Sequence, residues 1–191
     1  MTQQPFESQK SHLHGIEIKG MSDEACQRAV NEATEVLSKR LPSYVQKLIF
    51  GTEITIANGL IESGGLTKAE EKKIILDATK NALSLQSAED LLVSAGYLEP
   101  GDWTKALPFS KEQPWSCLTY QLVHEFGHLI DGLSSGEPYD RLGTQFSPTK
   151  YGETSPSESF AEAFAYWVFE LDLEPDAQQD VSVFLAQNDA I

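Results

Sequence analysis

Leu122-Val-His-Glu-Phe-Gly-His-Leu-Ile-Asp131 is the stretch on which the reading of this chain turns. His124 and His128 stand four apart, so on a helix of about 3.6 residues per turn they share a face and can aim two imidazoles at one metal ion. Glu125 falls about 100° round the helix from His124, beside such an ion, where a general base takes a proton from water. Leu122, Val123, Phe126, Leu129, Ile130 and Leu133 supply a broad apolar surface suited to burial. Gly127 costs about 1 kcal/mol in a helix interior relative to Ala, which predicts a close backbone approach at that point. A buried amphipathic helix whose histidines only satisfy hydrogen bonds is the competing reading. Asp131, seven residues after His124, shares its face and either orients a ligand or lies in solvent.

Two imidazoles do not complete a catalytic zinc site, which commonly has three protein ligands and one position for water. No histidine follows His128, and Cys26 and Cys117 lie upstream without C-x-x-C spacing, so a carboxylate on a later element is needed. Tyr151-Gly-Glu-Thr-Ser-Pro-Ser-Glu-Ser-Phe-Ala-Glu-Ala-Phe164 is the best source. Ser155, Pro156 and Glu158 read as N-cap, N1 and N3 of a helix, with Phe160, Phe164, Trp167 and Leu171 as its apolar stripe. Glu158 and Glu162 share another face; one can bind metal while the other holds a ligand imidazole. Equally, Glu158 can serve only as a capping partner and Glu162 can be solvated.

Together, the His124–His128 motif, Tyr151-Gly152 and Glu158-Ser-Phe-Ala-Glu-Ala-Phe164 resemble the catalytic domain of anthrax lethal factor and the related Pro-Pro endopeptidases, which are gluzincin-type zinc metallopeptidases. The resemblance covers residues 115–170 well and the first half in general plan only. It implies an α+β, zincin-like fold, mostly helical with a small β-sheet at the cleft. It also implies zinc on His124, His128 and Glu158, with Glu125 as general base. Tyr151 would stabilise the tetrahedral intermediate, and Glu162 would stand behind a ligand. A strand at the cleft edge would pair with extended substrate, a role open to residues 50–57. The chemistry is peptide hydrolysis: zinc-activated water attacks the carbonyl, Glu125 relays the proton to the leaving amine, and the Tyr151 phenol donates to the oxyanion. With its spacing set aside, Tyr151 reads instead as a loop tyrosine packed for its ring.

The remaining sequence sets bounds. A chain of 191 residues suits one domain with a sufficient core, here residues 21–191, preceded by a loose arm or edge segment at 1–20. The first ten residues hold no apolar signal-peptide core, which makes the cytoplasm the default and leaves secretion open. No run approaches the ~18 apolar residues of a membrane span. A net charge of −15 argues against nucleic acid and anionic membranes and favours a basic peptide or protein substrate. His12 and His14 alternate as on a strand. A helix is predicted from Ser22 to about Arg40, a strand over Phe50–Ala57, and amphipathic helix over 66–98 with a second short helix at 88–95. A turn-rich connector follows, with Trp103 and Trp115 as core or cleft aromatics. The Ser134–Ser155 loop is long enough to be functional. The two function classes left are a zinc endopeptidase, including one restricted to a single cellular repressor, and a catalytically silent, zinc-stabilised binding module.

Overall fold

The computed structural model describes residues 15–20, 24–59, 61, 64–81, 84–103, 116–134 and 147–186. They form an α+β fold of six helices and a small four-stranded mixed sheet. The strands are β1 (Glu17–Gly20), β2 (Glu53–Ala57), β3 (Gly65–Lys68) and β4 (Lys73–Asp77). The helices are α1 (Glu24–Arg40), α2 (Ser43–Leu48), α3 (Leu85–Ser94), α4 (Ser116–Leu133), α5 (Pro156–Val168) and α6 (Pro175–Ala186). Among them no helix is long and apolar enough to cross a membrane.

The sheet runs β1-β2-β4-β3, with β1, β2 and β4 parallel and β3 antiparallel to β4. β2 alternates as the sequence indicates, burying Ile54 and Ile56, but starts at Glu53 because Ile49–Gly51 form a turn that leaves Phe50 exposed. It lies inside the sheet rather than at an edge, and β3 is the edge strand beside α4. Glu17–Gly20 make the opposite edge, which takes the edge-segment alternative for this part of the N-terminal arm. Residues 1–14, with His12 and His14, lie outside the described residues, as do Trp115 and most of the Ser134–Ser155 loop.

The helix expected from residue 66 is not there. Residues 65–77 form β3, a single 3-10 turn at Ala69–Glu71 and β4. Lys-Ala-Glu-Glu has local helix preference, yet it yields only that turn, closed by Lys72 at φ 47°. Beyond it Ile74 and Leu76 face the core with the two-residue period of a strand, and pairing with β2 and β3 overrides local propensity. The short helix forms at Leu85–Ser94, with the Ser84 side chain accepting from Ser87 N–H at its start.

α4 is the central element, packed on α5, α1, β3 and the 69–71 turn. It buries Leu122, Val123, Phe126, Leu129 and Ile130 in the core cluster that also holds Phe160 and Phe164 of α5. Gly127 meets the close approach its helix cost implied: a Cβ there would lie 2.9 Å from Ala161 Cα and 3.2 Å from Phe164 Cδ1. α5 starts where the capping pattern placed it, with Ser155 Oγ accepting Glu158 N–H at 3.2 Å and Pro156 in the first turn.

Candidate metal centre

Where α4 crosses α5, three side chains converge. His124 Nε2 lies 3.1 Å from His128 Nε2 and 3.1 Å from Glu158 Oε2, and His128 Nε2 lies 3.3 Å from the same oxygen. A tetrahedral ion with ligands about 2.0–2.1 Å away sets those ligands roughly 3.3–3.4 Å apart. The observed triangle therefore has the size of one face of such a site, and these three residues could hold a metal ion. The far nitrogens fix the rings in the required sense. His128 Nδ1 is 2.9 Å from Ser157 Oγ. His124 Nδ1 is 2.8 Å from Glu162 Oε1, close enough for strong attraction although off the line of a well-formed N–H···O bond. Each Nδ1 is thus engaged away from the centre, and both Nε2 atoms face it.

Glu162 is 1% exposed, which removes the solvated reading. Its Oε2 accepts from Tyr120 Oη at 2.9 Å and from Thr149 Oγ1 at 2.8 Å. Two hydroxyl donors thus hold one of its oxygens while the other faces His124. Glu158 is aimed at the imidazoles from the first turn of α5. Asp131 is fully buried, so its solvated reading also falls.

Charge accounts for the protonation pattern without a metal. Burial alone would lower the His124 pKa, but hydrogen bonding to Glu158 and Glu162 outweighs it and holds the imidazole up at about 10. Burial would raise the Glu158 pKa, yet bonding to His124 and His128 holds this carboxyl far below its ordinary range. Burial, with the negative charge of Glu158 next, keeps the Tyr151 phenol protonated well beyond its usual range.

Glu125 is aimed by two donors. Thr67 Oγ1 of β3 donates to its Oε2 at 2.6 Å, and Gln121 Nε2 donates to its Oε1 at 2.9 Å. Gly65 makes room for it, since a Cβ there would sit 2.0 Å from Glu125 Oε1. Tyr151 stands on the other side, its ring 6.0 Å from the His124 ring and edge-on to Tyr97. All these groups line one open cleft of ≈ 1050 Å³ between β3, α3 and α4. Trp103 lines it too while packing 4.9 Å from the Tyr120 ring, so it serves both core and cleft.

His124, Glu125, His128, Tyr151, Glu158 and Glu162 thus all line one cleft, whereas Asp131 is buried and does not line it. The sequence reading passed over Tyr120, Gln121, Ser157, Thr67, Thr149 and Gly65. Tyr120 and Gln121 stand four residues before His124 and Glu125, a helical signal that was available. No family model, curated protein sequence or solved structure matches the chain.

Proposed function

We propose that this protein is a zinc-dependent endopeptidase with a zincin-like catalytic arrangement, in which His124, His128 and Glu158 hold the metal. The observation that carries this reading is the 3.1–3.3 Å ligand triangle opening on a cleft that also contains an aimed carboxylate and a phenol. A donor set of two imidazoles and one carboxylate suits zinc kept open for catalysis. Zinc there would supply Lewis acidity and make water acidic enough for a carboxylate base to deprotonate near neutral pH.

The chain's own residues would do the rest. Glu125, held by Thr67 and Gln121, takes the proton from the attacking water and returns it to the leaving amine. Tyr151 keeps its proton and can donate a hydrogen bond to the carbonyl oxygen as negative charge develops there. β3, the sheet edge beside Glu125, offers backbone groups to an extended peptide. The net charge of −15 favours the approach of basic peptides over acidic ones.

Metal analysis and cleavage of a broad peptide library test the reading together. Wild type should hold about one zinc per chain and cut peptides; His128→Ala should lose the metal, and Glu125→Gln should keep it while losing at least about a hundredfold in kcat. Zinc-loaded wild type that cuts nothing across the library would leave a metal-stabilised binding module in its place.

A further inference from the structure

Glu162 is a junction of three parts of the chain. One carboxylate oxygen faces His124 of α4, while the other accepts from Tyr120 and from Thr149 in the segment before α5. Thr149 is 3% exposed, and its hydroxyl is used in both directions: it donates to Glu162 at 2.8 Å and accepts Gly152 N–H at 3.1 Å. Gly152 directly follows Tyr151. Local bonds keep the segment compact, with Ser147 Oγ donating to Thr149 O at 2.8 Å and Thr154 Oγ1 to Tyr151 O at 2.6 Å. A Cβ on Gly152 would lie 1.9 Å from Ser147 Oγ and 3.2 Å from Glu162 Cγ, so the turn rests directly on the stem of the carboxylate.

We propose that Thr149 is a positioning residue that ties the turn carrying Tyr151 to the carboxylate holding His124, coupling metal capture to placement of the phenol. The proposal builds on the metal-site reading above. A metal that fixes His124 fixes Glu162, and Glu162 fixes Thr149 and the Gly152 amide. By linkage, order in the turn returns to the metal as affinity. Replacing the hydroxyl with a methyl leaves one buried amide without its acceptor and removes one donor from Glu162.

The test measures amide hydrogen exchange at residues 149–154 with and without zinc, in wild type, Thr149→Val and Thr149→Ser. Zinc should slow exchange at Gly152 and Glu153 about tenfold or more in wild type and in the serine variant. In the valine variant that zinc-dependent slowing should vanish, although zinc still binds within about tenfold of wild type. Tyr120→Phe, which removes the other hydroxyl on Glu162 without touching the turn, should keep it. If circular dichroism shows Thr149→Val unfolded, Thr149→Ala replaces it against the serine variant. Peptide turnover gives the second readout: Thr149→Val should lower kcat with KM little changed, serine should restore it, and in a Tyr151→Phe background valine should cost less than about twofold more. Equal zinc-dependent protection in the valine and wild-type proteins, or full additivity with Tyr151→Phe, would overturn the coupling. Intact coupling in a protein that cuts no peptide would instead count against the peptidase reading alone.

Discussion

A histidine binds metal well only when its other nitrogen is committed, and Glu162 makes that commitment for His124. Three donors converge on this carboxylate, so a carboxamide of the same shape must turn an NH2 group against at least one of them. Glu162→Gln should therefore weaken zinc binding by roughly 10–100-fold, measured by competition with a chromophoric chelator. Unchanged affinity would show that Glu162 has no hold on the metal. At this scale the sequence was readable wherever the partners share a helix. His124, Glu125 and His128 follow from i, i+4 spacing, and the capping pattern located Glu158 with Glu162 one turn on. Thr67 and Thr149 were not readable, because each hydroxyl meets its carboxylate across a tertiary contact that no local spacing encodes.

Among the elements, β3 and β4 were misread as helix, and β3 bears most directly on the proposed chemistry. Residues 65–77 carry helix-favouring Lys, Ala and Glu in the middle, which hid two short strands on either side of a turn. The signal for β4 lay in the alternation of Ile74 and Leu76, too short to outweigh a helical pattern but decisive once β2 offered a parallel partner. Through β3 the sheet touches Glu125, the proposed base, twice, by the Thr67 hydroxyl and by the missing side chain of Gly65. Gly65→Ala should accordingly push the Glu125 carboxylate out of place. About a hundredfold loss of kcat is expected, with zinc stoichiometry unchanged, because a shift of about 1 Å in a catalytic group is enough for that loss. Steady-state kinetics beside metal analysis would check it; full activity in this variant would mean that Glu125 tolerates displacement.

For the molecule as a whole, the proposed metal site sets proton and metal in competition for one position. The His124 pKa is held at about 10, above its unfolded value of about 6.5, so the protonated imidazole adds stability to the metal-free protein. That contribution is complete below about pH 6.5 and is lost as pH rises through about 10. Zinc requires the neutral ring, so binding near neutrality must release this proton. The rise in melting temperature produced by a fixed free zinc concentration should therefore grow from about pH 6.5 towards pH 9, as scanning calorimetry can show. A rise independent of pH would indicate that His124 is already neutral. The geometry of the helix crossing carries a last consequence. Gly127 immediately precedes His128, and Ala161 comes three residues after Glu158, so the spacing of the two helices is set almost at the ligands themselves. In the proposed site, zinc affinity thereby becomes a gauge of core packing: substitutions at Phe160 or Phe164, which supply no donor atom, would register as tenths of an ångström in the triangle before they register as unfolding.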